Sequence, residues 1–371
     1  MAYTTIDDPT AYFQTITWTG NGSDPRTITF DGNSDMQPDW VWEKSRSLAY
    51  QHNLYDSVRG GGKGLDLPAA AVEVSNNANG YISAFTSDGF TLTAGSTNNE
   101  LLNENTTTYV GWGWKAGTSF TNDASGTGIG SIDSAGSFNN DSGFSIVSYT
   151  GNNTSGATLK HGLNTAPAMV IVKNRNRTDN RDWVVYHQKL TSASYYIYLN
   201  STGAMAGAYA NFWNNTAPNS SVITLGSGDT TTNGNGDTYI AYCFAEKKGY
   251  SKFGSYTGNG NADGTFVYTG FKPAFIMCKR TDGADDWFLL DNKRDIDNPA
   301  NHWLMADSSG AEQTSPIFFD FLSNGFKNRG TGGGNNASGG TYIYMAFAEN
   351  PFVTSTGVPA TARWLCSYLL T

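Results

Sequence analysis

Histidines are the first residues whose types and spacing could support chemistry, and the chain has only four of them: His52, His161, His187 and His302. None forms an H-x-H or H-E-x-x-H pair or has a cysteine at ligand spacing, whereas a zinc site needs several such ligands to converge. His52 and His187 each fall in the strand that follows a repeated lysine, which favours packing or solvent exposure. The sequence therefore predicts no metal-binding and no catalytic histidine.

Paired carboxylates would indicate glycoside hydrolysis, in which two acids face each other across a cleft. The apolar strands carry almost none, since Glu43, Glu246 and Glu349 lie at strand ends. Asp182-Trp183 and Asp286-Trp287 recur at similar positions. Each pair fits either a sugar-stacking tryptophan beside an acid or a tryptophan folded onto a β-sandwich. We favour the second interpretation, and we predict no catalytic residue and no enzymatic activity.

Basic residues recur more regularly than any other charges. The pairs are Lys44 with Arg46, Lys173 with Arg175, and Lys279 with Arg280. They could bind an acidic or sulfated sugar. A lysine at the exit of a strand is more often a solvated residue that protects a sheet edge against aggregation. We expect the second role for these lysines.

Cofactor and cation motifs are incomplete. The acidic turn at residues 31–35 could hold calcium through carboxylate and carbonyl oxygens. It lacks a closing glutamate, and Asn-Gly-Asp turns adopt this geometry without an ion. The glycine-rich tracts at 60–64 and 332–334 lack the strand–loop–helix context of a phosphate cradle. We predict no cofactor and no metal, and the sequence assigns no ligand-binding residue.

An internal repeat organises the elements that must position these residues. A Trp/Tyr-Thr-Gly-Asn motif occurs at 18–21, 149–152 and 256–259. In each copy a proline then begins an apolar strand that ends in lysine, and a Thr-Tyr strand closes the copy. These landmarks are Pro38, Lys44 and Tyr109, then Pro167, Lys173 and Tyr239, then Pro273, Lys279 and Tyr342. Such near-constant spacing predicts three copies of one structural unit.

The pattern inside each copy is that of β-strands. Residues 239–245 and 342–348 are apolar on both faces at period two, which predicts central strands covered on each side. Only 67–73 suits a helix, for a turn or two. We predict an all-β fold of three tandem β-sandwich repeats, jelly-roll or lectin-like, each of about 100 residues. The predicted units are an N-terminal attachment segment at 1–15, repeat 1 at 16–117, a Gly/Ser/Asp-rich linker at 118–143 (with one edge strand at 130–132), repeat 2 at 144–247, repeat 3 at 252–351 and a C-terminal tail at 352–371.

Composition limits the partners of the chain. Its 371 residues carry a net charge of −9 with no basic run, so nucleic acid is not an expected partner. No apolar stretch approaches the ~20 residues that span a bilayer, and we expect neither membrane insertion nor a signal peptide. Three cysteines give no disulfide framework. We expect Cys243 and Cys278 to be buried thiols, whereas Cys366 lies near the C-terminus.

Four segments carry a resemblance to a known family: residues 38–46, 54–60, 87–92 and 109–117. Residues 144–152 and 253–352 look like later units of the same family. Over about 16–352 the chain resembles a repetitive, functionally uncharacterised family of virion-associated proteins of marine tailed phages. The resemblance implies a phage structural or tail-associated protein in the virion, assembled in the host cytoplasm. It supplies no catalytic residues.

Three hypotheses about function follow. The first, which we favour, is a tail-fibre or adhesin component whose modules contact host-surface glycans, because repeated modules gain strength through multivalency. The second is a capsid decoration or tail-scaffold protein without a ligand. The third, a carbohydrate-active enzyme or free lectin, lacks an acid pair in the sequence. The expected partners are other virion proteins and further copies of the chain, although no heptad stalk indicates a trimer.

Overall fold

The structure is a computed structural model that describes residues 2–179 and 181–360. Short apolar runs bounded by Gly, Asn and Pro form most of its strands. After a 3-10 turn at Pro9–Ala11, the first third contains β1 Phe13–Thr19, β2 Arg26–Thr29, β3 Trp40–Ser45, β4 His52–Asp56, β5 Lys63–Leu67, β6 Val74–Ser75, β7 Tyr81–Thr86, β8 Gly89–Thr93, α1 Glu100–Asn103 and β9 Thr108–Trp114.

The remaining elements follow the same pattern of short strands and single-turn helices. The middle third contains β10 Thr118–Asn122, α2 Ala124–Thr127, β11 Ser134–Asn139, β12 Phe144–Thr150, β13 Ala157–Lys160, β14 Met169–Asn174, β15 Val184–His187, β16 Ile197–Tyr198, α3 Ala210–Trp213, β17 Val222–Leu225 and β18 Thr238–Phe244. The last third contains β19 Ser251–Thr257, β20 Phe266–Tyr268, β21 Phe271–Arg280, β22 Trp287–Asp291, β23 Ala300–Met305, β24 Gln313–Leu322, β25 Gly325–Asn328, α4 Gly333–Asn336 and β26 Thr341–Pro351.

Three main antiparallel sheets have the same arrangement of strands around their centres. Sheet I has the order β1-β9-β3-β4-β5-β6, sheet II has β10-β11-β12-β18-β14-β15-β16, and sheet III has β19-β26-β21-β22-β23-β24-β25-β20. In each sheet the Thr-Tyr strand lies between the strand that opens the copy and the strand that ends in lysine. The all-β prediction is confirmed. The division into three repeats with the bounds given above stays a prediction.

A second layer covers the outer face of each main sheet. Strands β2, β8 and β7 form the layer associated with sheet I, and β13 with β17 form that of sheet II. In sheet III, β24, β25 and β20 continue the sheet itself and fold back over β21. Each pair of layers encloses its own apolar cluster, which includes Phe90 in the first, Trp213 in the second and Phe326 in the third.

The inner faces of the three sheets meet in one shared aromatic core. Successive side chains of a strand point to opposite faces, so β18 places Tyr242 and Phe244 in the shared core and Cys243 in the cluster of sheet II. Trp40 of sheet I stacks on Tyr242 with ring centroids 4.4 Å apart and packs on Trp114 at 4.6 Å. The prediction that the apolar strands are covered on both faces is confirmed. The outer layer of the same sheet packs on one face, and the neighbouring sheets pack on the other.

Residues 118–143 were predicted to be a linker, and this prediction is wrong. Strand β10 pairs with β11 and β11 pairs with β12, so the segment adds two strands to sheet II. One glycine there is required by a close backbone approach, since a Cβ on Gly136 would collide with the Ile146 carbonyl oxygen. The edge strand expected at 130–132 is reduced to an isolated bridge between Ile132 and Leu159.

Two smaller expectations also need correction. Residues 67–73 form no helix, since β5 ends at Leu67 and the chain then runs without helical hydrogen bonds. Its carbonyl groups bind side chains of sheet II instead, as described below. The N-terminal segment packs on the body of the protein, with Ile6 in the shared core. Its attachment role stays a prediction, and residues 361–371 of the predicted tail lie outside the described residues.

Candidate functional site

The three repeated lysines are buried, so the prediction of solvated lysines is wrong. Lys44, Lys173 and Lys279 are 0% exposed. The ammonium of Lys173 donates to the carbonyl oxygen of Ala70 at 2.8 Å, and that of Lys279 donates to the carbonyl of Thr202 at 3.1 Å. Burial lowers the pKa of each lysine to about 8. The carbonyl acceptors favour the ammonium form, and the lysines remain charged at neutral pH.

These contacts join neighbouring sheets, because Ala70 follows a strand of sheet I and Thr202 follows a strand of sheet II. In each sheet the residue opposite the repeated lysine has a ring nitrogen that binds a backbone carbonyl of a neighbouring sheet. Trp183 Nε1 donates to the Asp66 carbonyl at 3.3 Å, Trp287 Nε1 donates to the Tyr198 carbonyl at 2.9 Å, and His52 Nε2 lies 2.8 Å from the Met305 carbonyl. Each sheet therefore binds a backbone carbonyl of another sheet, and the three contacts close a ring. We call them junctions I–II, II–III and III–I.

His52 takes the place of tryptophan in junction III–I. Trp42 Nε1 donates to His52 Nδ1 at 2.8 Å, which leaves His52 Nε2 as the protonated nitrogen that donates to the Met305 carbonyl. Burial lowers the pKa of His52 to about 3, and the imidazole is neutral. Burial also lowers the pKa of His161 and His187 to about 4. These histidines have packing and hydrogen-bonding roles.

The repeated arginines complete two of the junctions through a shared glutamate. In junction I–II, Glu73 accepts from Arg175 at 2.9 Å and from Arg59 at 3.3 Å. In junction III–I, Glu312 accepts from Arg46 at 2.8 Å and from Arg294 at 3.0 Å. The backbone N–H groups of the two glutamates donate to the carbonyls of Arg175 and Arg46, respectively. The Arg46 and Arg175 side chains are thus used inside the protein.

Junction II–III has the same hydrogen bond between backbone groups as the other two, but its side chains at the glutamate and arginine positions are uncharged. Met205 occupies the position of the glutamates, and its N–H donates to the Thr281 carbonyl at 3.0 Å. His187 and Leu190 stand where sheet I has Asp56 and Arg59. This junction therefore lacks the arginine–glutamate pairs of the other two, and its charged group is Lys279.

A buried aspartate supports each of the two junctions that have arginine–glutamate pairs. Asp291 accepts from Arg294 Nε at 2.7 Å and from Trp112 Nε1 of sheet I at 3.0 Å. Asp56 binds Arg59 and accepts from the Tyr242 hydroxyl of sheet II at 2.8 Å. Both aspartates are 0% exposed. They fix the angle between adjacent sheets and are closed to an external ligand.

The repeated Trp/Tyr-Thr-Gly-Asn motif is held by an asparagine that the sequence analysis missed. Asn233 Oδ1 accepts from the N–H of Asn152 at 2.9 Å, and Asn336 Oδ1 accepts from the N–H of Asn259 at 2.9 Å. Asn103 does the same for Asn21. These asparagines stand at one constant distance before the tyrosines of the Thr-Tyr strands. That spacing is the signal that could have found them.

The glycine of this motif is required by a close backbone approach. A Cβ on Gly258 would collide with the Ala337 carbonyl oxygen, and the loop would have to move away from the turn. We expect Gly258→Ala to lower the free energy of unfolding by about 1–3 kcal/mol. Gly332→Ala is the control, because a Cβ there meets no atom within 4 Å. Urea unfolding of both variants tests this, and equal stability would contradict the steric explanation.

The Asp286-Trp287 pair lies beside the carboxylate of Asp307. Asp307 Oδ1 accepts from the Trp287 N–H at 2.9 Å, as Asn200 Oδ1 does from the Trp183 N–H in sheet II. Burial and the neighbouring Asp286 carboxylate raise the pKa of Asp307 to about 6. No local sequence pattern joins these two carboxylates, because Asp286 precedes β22 and Asp307 follows β23. Both tryptophans are buried, which supports the packing interpretation of the Asp-Trp pairs.

This raised pKa makes stability depend on pH. A group whose pKa is higher in the folded state contributes stability below its unfolded value, near 3.8, and loses it as the pH rises through about 6. In the wild type we expect Asp307 to lower the free energy of unfolding by about 1 kcal/mol as the pH rises from 4 to 7, after allowance for its partial exposure. Asp307→Asn should abolish this pH-dependent decrease. The reciprocal Asn200→Asp change should introduce such a loss in sheet II. Urea unfolding at several pH values measures both, and a variant as pH-dependent as the wild type would contradict the assignment.

His302 Nδ1 lies 2.5 Å from Asp295 Oδ1, and the remaining candidate groups fall within the described ranges 2–179 and 181–360. These residues contain no group of three His, Cys, Asp or Glu side chains that could hold a metal ion. In the acidic turn, Asp31 pairs with Lys293 at 2.7 Å. Cys243 and Cys278 are buried, as predicted, and burial raises the pKa of both thiols to about 12. Among the same residues, no helix is long and apolar enough to cross a membrane.

Strand β20 exposes two aromatic side chains to solvent, and the other large apolar side chains exposed among the described residues are Leu48, Ile296 and Val358. Phe266 is 45% exposed and Tyr268 is 54% exposed, while Val267 between them is buried. Tyr3 of the N-terminal segment adjoins them, with its hydroxyl 3.4 Å from that of Tyr268. We call Tyr3, Phe266 and Tyr268 the aromatic patch. It is the candidate functional site, because the repeated polar residues are used inside the ring.

One protein-family model matches most of the chain. A family model described as a domain of unknown function, DUF7483, matches residues 8–351. The chain belongs to this family. The match to DUF7483 runs from before β1 to the last residue of β26, and one family model therefore covers all three main sheets. No curated protein and no solved structure matches the chain.

Proposed function

We propose that this DUF7483 protein is a structural protein of a tailed-phage virion, a tail-fibre or adhesin component that presents its β-layers for contact with host-surface glycans. The observation that carries the proposal is the closed ring of three sheets. Lys173, Lys279, Arg46 and Arg175 bind groups of neighbouring sheets, as do the buried aspartates Asp56 and Asp291, and the outer layers remain as the surface for contact. Other virion proteins and further copies of the chain are the proposed partners.

The physical basis is rigidity. Separation of a buried charge from its partner costs about 3–5 kcal/mol, so movements of the sheets that break the buried arginine–carboxylate pairs are unfavourable. Three sheets around a shared aromatic core therefore act as one body. A rigid protein of this kind suits a role in which its outer layers must keep a fixed arrangement while they contact a host-cell surface. The resemblance to virion-associated phage proteins supports the same role.

The sequence features that would indicate catalysis have structural roles. The Asp-Trp pairs pack against loops of adjacent sheets, and the histidines at positions 52, 161 and 187 are buried and bind backbone groups. These observations support a binding or structural protein over a carbohydrate-active enzyme.

Immunogold electron microscopy of particles of the phage that encodes the chain tests the proposal. We expect gold at the tail or its fibres. Gold over the head would instead identify a capsid decoration protein, and unlabelled particles would refute a virion role. Antibody that has been pre-absorbed with purified chain is the control for non-specific labelling.

A further inference from the structure

Strand β1 is an edge of sheet I. Within the part of the chain that the structure describes, β1 pairs with β9 and with no other strand. The Gly20 N–H donates to the Thr107 carbonyl at 2.7 Å, and hydrogen-bonded residues alternate along an antiparallel pair. The register of β1 with β9 therefore directs the N–H and C=O groups of Phe13, Thr15 and Thr17 away from β9. A strand edge of this kind can pair with a further segment of extended chain.

The equivalent edge position is covered in sheets II and III. Thr15, Ile146 and Phe253 each stand three residues before the aromatic residue of the repeated Trp/Tyr-Thr-Gly-Asn motif. In sheet II, Ile146 lies opposite a residue of β11. In sheet III, the Phe253 N–H donates to Glu246 Oε2 at 3.3 Å, and the Phe253 carbonyl accepts from Gln188 Nε2 at 2.8 Å. A strand covers the edge in one sheet, and two side chains from a neighbouring sheet cover it in the other.

Sheet I lacks both kinds of cover among the described residues. Asn292 and Glu349 of sheet III are the sequence equivalents of the two side chains that bind Phe253. Asn292 Nδ2 instead donates to Glu349 Oε2 at 2.8 Å, and Lys272 binds the same carboxylate at 2.8 Å. Thr15 is 8% exposed, and its hydroxyl has no hydrogen-bond partner in the described chain. A buried polar group without a partner is unfavourable, so a segment that bonds to Thr15 would stabilise the protein.

A groove of about 760 Å³ lies along this edge. Its lining includes Phe13 and Thr15 of β1, Asn292 and Ile296 of the segment after β22, and Ala360. Ile296 is 83% exposed, more than any other large apolar side chain in the described ranges. The groove therefore places an exposed apolar side chain beside a sheet edge. An extended segment suits such a surface, because its backbone pairs with the edge while alternate side chains contact the lining.

The chain itself supplies a segment at this groove. After β26, Val353 forms a β-bridge with Pro359, and the Ala360 N–H donates to the Phe352 carbonyl at 3.2 Å. This turn leaves Ala360 in the lining of the groove, and residues 361–371 follow directly. They are rich in aromatic and other apolar residues. At about 3.3 Å per residue, they are also long enough to run beside all seven residues of β1.

We propose that residues 361–371 occupy the groove and pair with the outer edge of β1, in the place that β11 takes beside β12. The added strand bonds to the outward backbone groups of Thr15 and Thr17 and provides a hydrogen-bond partner for the Thr15 hydroxyl. Its apolar side chains cover Ile296. Sheet I then has no open edge at β1, which protects the protein against pairing with another chain.

Hydrogen exchange with residue resolution tests this pairing in the full chain. The comparison variant keeps the length of the chain and replaces the large apolar residues after position 360: Trp364→Ser/Leu365→Ser/Tyr368→Ser/Leu369→Ser/Leu370→Ser. We expect the amides of Thr15 and Thr17 to exchange at least about tenfold more slowly in the wild type than in the variant. The Ile16 amide bonds to β9 and should exchange equally in both proteins, which also shows that the variant is folded. The Ser255 amide faces outward at the position of β19 equivalent to Thr17, and as the control on sheet III it should not change.

A peptide of residues 361–371 provides a second measurement. Added to the variant, it should slow the exchange of the Thr15 and Thr17 amides and leave that of Ser255 unchanged. Equal exchange of the Thr15 amide in the wild type and the variant, or no effect of the peptide, would overturn the inference. Slow exchange that depends on the protein concentration would overturn it as well, because residues 361–371 would then pair with β1 of a second copy.

Discussion

Replacement of Asp291 by alanine is expected to lower the free energy of unfolding by about 3–5 kcal/mol. The Arg294 side chain is 0% exposed and would lose its 2.7 Å partner, which leaves its charge in the interior with only Glu312, a carboxylate that it shares with Arg46. Trp112 would also lose the acceptor of its indole N–H. Denaturant unfolding, followed by the fluorescence of the core tryptophans, measures the loss.

Asp179→Ala is the matched control for this prediction. Asp179 binds two arginines, Arg177 at 2.9 Å and Arg181 at 2.6 Å, but its side chain is 43% exposed. Exposed ion pairs contribute at most about 1 kcal/mol. A loss for Asp291→Ala no larger than that for Asp179→Ala would show that the buried ion pair does not stabilise the ring.

Trp40→Ala is expected to cost about 3–5 kcal/mol and to destabilise all three sheets together. Trp40 is 0% exposed and packs on Trp114 of its own sheet and on Tyr242 of sheet II. A cavity at this position removes packing contacts from sheet I and from sheet II. Hydrogen exchange resolved along the chain tests this, with protection expected to fall in sheets I, II and III alike.

Phe319→Ala provides the comparison, because Phe319 is equally buried but lies in the cluster of sheet III alone. If the ring unfolds as a unit, this variant should also show one transition, with a loss of similar size. Protection that falls only in sheet III for Phe319→Ala, and only in sheet I for Trp40→Ala, would mean that the sheets unfold independently and that the shared core couples them weakly.

The sequence predicted the strands and failed to predict how they associate. Alternating apolar residues locate β18 and β26 because periodicity is a local property of the chain. The burial of Lys173 depends on a carbonyl at Ala70, which lies in another part of the chain, and no local pattern records it. The same reason explains residues 118–143, where a composition typical of loops forms two strands beside β12.

The candidate site was harder still to predict. Phe266 and Tyr268 are ordinary strand-forming residues, and nothing in their sequence shows that they face outward. Only the register of β20 with β25, compared with that of β2 and β8, shows that the rings occupy positions where threonine suffices. The asparagines at 103, 233 and 336 are different, because their constant distance from the tyrosines is visible without a structure.

Ring closure limits how this architecture can change by duplication. In an open solenoid each unit contacts only its neighbours, and units can be added or lost at an end. Here Met305, the last residue of β23 in sheet III, is bound by His52 of sheet I, which leaves no free end. A fourth sheet would have to break one junction and widen the shared core beyond the reach of Trp40 and Tyr242. Chains built on this plan should therefore vary in their outer layers and loops while the number of main sheets stays fixed.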